Sequence, residues 1–168
     1  MNILKVLVLF AASIPTLASA SIQVLGFEVG VSTLSQVKAQ LAKHSGKINV
    51  STSSLTGGPQ LKTIGARRGI DGHTKVCYIF DVNQKLAMVM VDMPKTNFNR
   101  TYDSLSAKYK QAPKESFGAL FAKFEGVDET IELDGTQQGF EMQARYFRND
   151  VFQRLGLQTS SVSLGQTR

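Results

Sequence analysis

The chain has 168 residues, a formal net charge of +6 and one cysteine. That length is enough for one domain whose hydrophobic core needs no disulfides. Because Cys77 is alone, no intrachain disulfide can form, and one cysteine with two histidines argues against a zinc site. We expect Cys77 to be a small buried hydrophobe; an intermolecular disulfide or a reactive thiol is the alternative.

Residues 1–20 have the order of a secretory signal peptide. Lys5 lies near the amino terminus, an apolar run from Val6 to Ala12 follows, and Ala18-Ser19-Ala20 offers a cleavage site. The apolar run is far shorter than the roughly 20 residues that a bilayer-spanning helix needs. We therefore predict cleavage after Ala20 and a periplasmic or secreted product that does not span the membrane. The alternative is a leader retained as an anchor.

Positive charge is concentrated in the first third of the predicted mature chain. Between Ser21 and Ile70, six basic residues stand against one acidic residue, whereas twelve of each sign follow from Asp71 onward. The six basic residues are Lys38, Lys43, Lys47, Lys62, Arg67 and Arg68. This asymmetry indicates either a surface that attracts an anionic partner or a solvated face that maintains solubility. In the predicted compartment the partner would be an acidic protein or an anionic envelope component, and not a nucleic acid.

The first helix is predicted by a capping pattern after the apolar stretch Ile22–Leu25. Ser32 or Thr33 can cap this helix, and Gln36 lies three residues after Thr33, which is the spacing of a capping box. Apolar residues then recur at helical spacing at Leu34, Val37 and Leu41. Gly46 is the expected end of this helix.

Strands are predicted next. Alternation predicts a strand around Ile48 and Val50, and a second is predicted at Leu61–Ala66. Lys75–Asp81 and Lys85–Asp92 form a hairpin that is apolar on both faces, so both faces should be covered by the chain or by a partner. Because side chains alternate along a strand, we expect Leu86, Met88 and Met90 on one face of the second strand. Ala87, Val89 and Val91 should then lie on its other face.

The second half of the chain repeats this layout. Thr96 or Asn97 caps a helix whose apolar stripe is Phe98, Tyr102, Leu105 and Tyr109. Strands are predicted at Ala119–Glu125, Thr130–Asp134 and Phe140–Tyr146, with Phe140 on the same face as Met142, Ala144 and Tyr146. A short helix is predicted at Asn149–Leu155.

These elements predict an α+β fold with helices packed on an antiparallel β-sheet. Their order is helix, about four strands, helix, three strands and a short helix. We expect a single domain at 21–156 and a mobile tail at 157–168. Because each half has one helix and an antiparallel meander, a tandem of two similar halves is a further hypothesis.

Few residues suggest catalysis. Asp71 and His73 are the candidate pair for general-base catalysis, with the aspartate as partner of the histidine. The alternative is a turn that contains polar residues. We expect Glu132 and Asp134 to point to opposite faces of a strand and to form the solvated edge of a hairpin. No cofactor and no metal are predicted.

Residues Gly30–Leu41, which read GVSTLSQVKAQL, resemble the start of a helix-then-hairpin module. That module occurs in outer-membrane assembly lipoproteins of the SmpA/OmlA type and in the beta-lactamase inhibitor protein, which carries it twice. The chain lacks the acylated cysteine of the former and the disulfides of the latter. The segments Thr56–Pro59, Tyr78–Asp81 and Thr130–Asp134 are similar to uncharacterised exported bacterial proteins. Neither resemblance implies a role for any residue.

Three functional hypotheses follow. The first is an exported, non-catalytic periplasmic binding protein that acts through protein or envelope contacts, with a homodimer as an open alternative. The second is an inhibitor or immunity protein for a secreted hydrolase, anchored by Arg67 and Arg68. The third is a hydrolase that uses Asp71 and His73. The residues expected to bind a partner are Lys62, Arg67, Arg68 and His73.

Overall fold

An antiparallel β-sheet dominates the described part of the chain. The computed structural model describes residues 21–44, 48–64, 75–113, 119–151 and 153–154. In these ranges, helices pack on an eight-stranded sheet, which confirms the broad α+β class while giving the sheet a larger share than the sequence predicts. The predicted leader at 1–20 and tail at 157–168 lie outside the described residues.

Each of the two longer helices precedes a run of strands along the chain. The described elements are β1 (Gln23–Val24), β2 (Phe27–Glu28), α1 (Leu34–His44), β3 (Ile48–Thr52), β4 (Pro59–Ile64), β5 (Lys75–Phe80), β6 (Leu86–Pro94), a 3-10 turn (Lys95–Asn97), α2 (Phe98–Ser106), β7 (Lys110–Gln111), β8 (Phe121–Glu125), β9 (Glu129–Asp134) and β10 (Glu141–Arg148). Helical backbone also follows β10 at 149–151 and 153–154.

The large sheet has the order β3-β4-β5-β6-β10-β9-β8-β7, and every neighbouring pair is antiparallel. Strands β3 to β6 form one meander and β7 to β10 form another. The two meanders join where β6 pairs with β10, so the last strand of each lies at the centre of the sheet. The edges of the sheet are β3 and the two-residue β7, a strand that the sequence did not predict.

Helix α1 begins at the predicted capping box. The backbone N–H of Thr33 donates to Gln36 Oε1 at 2.8 Å, and the N–H of Gln36 donates to Thr33 Oγ1 at 3.3 Å. Two N–H groups that the first turn leaves without helical partners are therefore satisfied. Val37 and Leu41 are fully buried, which confirms the predicted apolar face.

The main core lies between the sheet and the two helices. It is built from α1, from Phe98 and Leu105 of α2, and from the side chains of one sheet face, including Tyr78, Val89 and Ile131. The small hairpin β1–β2 also contributes to this core, and the ring of its Phe27 meets Tyr78 edge-on with centroids 5.6 Å apart. We call this sheet face the inner face and the opposite one the outer face.

A β-bulge changes the predicted facing of the β5–β6 hairpin. Phe80 pairs with Leu86 and Ile79 pairs with Met88, which leaves Ala87 as an extra residue between them. Because an extra residue reverses the alternation, Leu86 joins the inner core, and the prediction that it shares a face with Met88 is wrong.

The outer face is covered by apolar side chains only in part. One small cluster contains Cys77, Ile79, Ala87, Met88, Phe147 and Val151, with Leu55 packed against it. Val151 comes from the helical segment after β10 and Leu55 from the loop before β4, so the chain itself covers this region. Polar and charged side chains occupy most of the rest of the described outer face, with Met90 and Phe121 as apolar exceptions.

Phe140 does not belong to the inner face, and its predicted position is wrong. It is 93% exposed and precedes β10, whose pairing begins with Glu141 opposite Pro94. Gly139 has a φ of +105°, and the turn therefore extends to Phe140 before the strand begins. Met142, Ala144 and Tyr146 are buried in the core as predicted.

Replacing the capping hydroxyl tests how much the first helix depends on it. We expect Thr33→Ala to reduce the free energy of unfolding by about 1 kcal/mol, because the N–H of Gln36 loses its acceptor. Urea denaturation followed by circular dichroism measures the change. Lys38→Ala, at an exposed position of the same helix, is the control and should change stability by less than half as much. Equal losses in the two variants would contradict the capping role.

Candidate binding site on the outer face of the sheet

One row of side chains crosses the outer face from strand to strand. The register aligns Asn49 of β3, Lys62 of β4, Cys77 of β5, Met90 of β6, Arg145 of β10, Glu132 of β9 and Lys123 of β8. Side chains on one sheet face alternate along each strand, so these residues point to the same side. Charged groups therefore occupy most of the row on both sides of an apolar centre.

A depression of about 220 Å³ lies over the first meander and the central strand pair. We call it the outer-face depression. It is lined by Asn49, Lys62, Thr63, Lys75, Val76, Cys77, Met90, Asp92 and Gln143. These residues come from the five strands β3 to β6 and β10, so the depression exists only when the first meander has paired with β10.

Two exposed lysines flank this depression. Lys62 lies opposite Cys77, and Lys75 lies opposite Asp92. The side-chain amide of Gln143 donates to Asp92 Oδ1 at 2.9 Å, which holds the carboxylate against β10. Neither lysine forms an ion pair within the described part of the chain. Among the described lining residues, two ammonium groups therefore stand against one carboxylate.

Cys77 forms part of the apolar floor. It is 8% exposed, and its Sγ lies 3.9 Å from Gln60 Oε1. Burial raises the pKa of the thiol, the charge of Lys62 opposes that rise, and Asp92 adds to it. Since the thiolate is the reactive form, Cys77 acts as a small hydrophobic residue, as its sequence context predicts.

An ion-pair cluster borders the depression on the side of β10. Arg145 lies 3.3 Å from Glu132 Oε2 and 3.0 Å from Asp134 Oδ2. The expectation that Glu132 and Asp134 point to opposite faces is wrong, because residues two apart in a strand share a face. Both carboxylates are held by one guanidinium and do not form a free acid–base pair.

The two carboxylates have opposite pKa shifts. Burial raises the pKa of Glu132, and Arg145 and Lys123 offset this only in part. Burial also acts to raise the pKa of Asp134, but hydrogen bonds from Thr136 and the charges of Arg145 and Lys95 outweigh it and lower that pKa. The cluster therefore stabilises the ionised form of Asp134 more than that of Glu132.

A second cavity, more open and about 520 Å³ in volume, lies between α2 and the β7–β8 edge. Phe98, Tyr102 and Phe121 are among its lining residues, and no described lining residue carries a charge. The outer-face depression is the better candidate for a site because it combines an apolar floor with ionic groups.

Of the predicted binding residues, Lys62 lies in the outer-face depression. Arg67, Arg68 and His73, and with them Asp71, lie outside the described residues, in the connection from β4 to β5. No described residues form a cluster of three or more histidine, cysteine or acidic side chains that could hold a metal ion. The groups that line the depression can bind an anion through charge and hydrogen bonds.

Sequence reasoning missed Lys75, Asn49 and Gln143 as members of the site. The outward position of Lys75 follows from the alternation of its strand, and that signal could have been used. The proximity of Gln143 to Asp92 could not be predicted from the sequence, because it requires β10 to pair with β6 across a separation of about fifty residues.

Comparisons with protein-family models, with curated proteins and with solved structures found no match to this chain. Among the described helices, none has both the length and the apolar character needed to cross a bilayer.

The protection of Cys77 can be measured directly, because it is the one thiol in the chain. We expect iodoacetamide to alkylate the native protein at least about tenfold more slowly than the urea-unfolded protein. Lys62→Gln should slow the native reaction further, since the lysine charge acts to lower the pKa of the thiol. Lys38→Gln on α1 is the matched control and should have no effect. Equal rates for native and unfolded protein would contradict the buried position.

Glu132 should make stability depend on pH. Its folded pKa is raised, so the stability that it contributes is complete below its unfolded pKa and is lost as pH rises through the folded value. We therefore expect the free energy of unfolding of Glu132→Gln, minus that of the unmodified protein, to increase as the pH rises from about 4 to about 7. Urea denaturation at both pH values measures this difference, with Glu125→Gln at an exposed position of β8 as the control. A relative stability that is constant or falls with pH would contradict the assignment.

Proposed function

We propose that the chain is an exported, non-catalytic binding protein that acts in the periplasm through protein or envelope contacts. The observation that supports this function is the outer-face depression, where two exposed lysines flank an apolar floor. A surface of this kind suits an anionic partner that also presents apolar groups, because charge directs the encounter and apolar burial adds affinity.

The distribution of charge supports the same proposal. The excess of basic residues lies in residues 21–70, a stretch that includes β3 and β4 at one side of the sheet. In the second meander, by contrast, Arg145 is neutralised by Glu132 and Asp134. Of the six basic residues in that stretch, Lys62 lines the depression, and Lys75 adds a second positive charge there, so an approaching anion would be attracted to it.

Export is the second part of the proposal. It rests on residues 1–20, whose short apolar run and Ala18-Ser19-Ala20 triplet are typical of a cleaved leader. A protein that reaches the periplasm meets anionic lipid headgroups, acidic cell-wall polymers and other exported proteins. Each of these could supply the negative charge that the two lysines would bind.

A tandem of two similar halves remains a hypothesis that the order of elements supports. Helix α1 precedes the meander β3–β6 and helix α2 precedes the meander β7–β10. The beta-lactamase inhibitor protein, to which residues 30–41 bear a resemblance, carries its helix-then-hairpin module twice. An inhibitor or immunity protein for a secreted hydrolase is therefore the second candidate function, with Arg67 and Arg68 as its proposed anchors.

Neutralising the two lysines tests the binding function. We expect Lys62→Gln combined with Lys75→Gln to weaken the retention of a periplasmic partner by about tenfold at low salt, because two charge-assisted contacts are lost. Retention of partners from periplasmic extract, and of phosphatidylglycerol vesicles, is compared at low and high salt. The control combines Lys38→Gln with Lys43→Gln, which removes the same charge from exposed positions of α1.

The two ligand arms distinguish a protein partner from a lipid surface. Salt-sensitive retention that the control variant keeps and the double variant loses would support the proposal. Recovery of no partner and no vesicle at either salt concentration, or equal losses in the two variants, would overturn it.

A further inference from the structure

Within the part of the chain that the structure describes, strand β3 is an open edge of the large sheet. Within the described residues it pairs with β4 alone, and four of its five residues are exposed. An edge strand carries one row of backbone N–H and C=O groups that no neighbouring strand satisfies. Such a row is a template onto which another strand can pair.

The hydrogen bond that follows β3 shows which groups face this open edge. The N–H of Ser53 donates to the carbonyl of Gly58 at 2.8 Å, so Ser53 faces β4. Residues of an antiparallel pair alternate between bonded and non-bonded positions. The backbone groups of Val50 and Thr52 must therefore point away from β4, toward the open edge.

The two edges of the sheet differ in how they are protected. Strand β7 has only two residues, one of which is Lys110, and short length and lysine both discourage strand addition. Strand β3 has the sequence INVST, without charge or proline, and its register with β4 runs unbroken over five pairs. Thus the five residues of β3 have neither the short length nor the charge or proline that protects an edge strand.

The two faces beside this edge define the chemistry of an incoming strand. On the inner face, Val50 is 58% exposed next to the half-buried Ile48, so an apolar side chain would cover them. On the outer face, Asn49 leads to Lys62 and the outer-face depression. An added strand would lie about 10 Å from β4, two strand spacings away. An acidic side chain on its outer face could then meet the ammonium of Lys62 over Asn49.

We propose that β3 accepts an added β-strand from an acidic partner protein, in which acidic residues alternate with apolar ones. The inference rests on the proposed binding function and specifies its partner. A second copy of this chain is a poorer occupant, because its own edge strand carries no acidic side chain and its Lys62 adds positive charge. The added strand would gain main-chain hydrogen bonds at Val50 and Thr52 and an ionic contact at Lys62.

A short fluorescent peptide that alternates glutamate with valine is the probe. We expect it to bind the full chain, as measured by fluorescence anisotropy, and to slow amide hydrogen exchange at Val50 and Thr52. A peptide with lysine in place of glutamate should bind at least about tenfold more weakly, because its charge repels Lys62. A glutamate peptide that carries N-methyl groups on the amides that face β3 keeps its side chains but loses the hydrogen bonds. It should lose binding to the same extent.

Protein variants test the same contacts from the other side. Val50→Pro removes an N–H at the open edge, a position where proline is tolerated, and should weaken binding by at least about tenfold. Val50→Thr keeps the backbone donor and should retain binding. Lys62→Gln should weaken binding of the glutamate peptide, whereas Lys38→Gln should not. The N-methylated peptide provides the same test without a protein variant, should Val50→Pro fail to fold.

The other possible outcomes overturn the proposal of strand addition, and they show whether the proposed binding function fails with it. If Lys62→Gln weakens glutamate binding while Val50→Pro and N-methylation do not, the depression binds acidic side chains without strand addition, and the proposed function survives. If neither the peptide nor any periplasmic partner or vesicle responds to Lys62→Gln, both proposals fail. If the chain sediments as a dimer that Val50→Pro dissociates, the occupant of the edge is a second copy.

Discussion

The pairing of β6 with β10 is the constraint on which the rest of the structure depends. Seven residue pairs, from Glu141 opposite Pro94 to Phe147 opposite Met88, join two meanders that would otherwise each end in an open strand. Their inner side chains share one core with both helices, and burial of that apolar surface is the main force that holds the halves together. On the outer face, the same pairing places Gln143 beside Asp92 and Arg145 beside Met90.

The outer face divides into three regions with different chemistry. At one end, the chain covers an apolar cluster with its own Leu55 and Val151. On the second meander, Arg145 is shared by two acidic side chains, so its charge is satisfied internally. Over the first meander, Lys62 and Lys75 remain exposed without such a partner in the described chain. Under the proposed function an anionic ligand would bind in this third region, which lies next to the edge strand β3.

Strongly local patterns in the sequence predicted the structure well. The capping box at Thr33, the apolar stripe of α1 and the two strands around the turn at 82–84 depend on residues a few positions apart. The burial of Cys77 followed from its place in an apolar strand. Lys62 was expected to bind a partner, and it lies in the outer-face depression. The sequence did not predict which residues would line the depression beside it. Arg67, Arg68 and His73 remain predictions.

The sequence by itself determined the longer helices and strands but not the two-residue strands β1, β2 and β7, because capping and side-chain periodicity act within one turn or one strand and need several residues to show. It predicted the β5–β6 hairpin but not the pairing of β6 with β10, because that pairing is decided by the collective burial of residues far apart in the chain. The extra residue at Ala87 moved Leu86 to the inner face, and the turn at Gly139 placed Phe140 in solvent. Only the assembled sheet brought Lys62, Asp92 and Gln143 to one depression and left β3 as an edge.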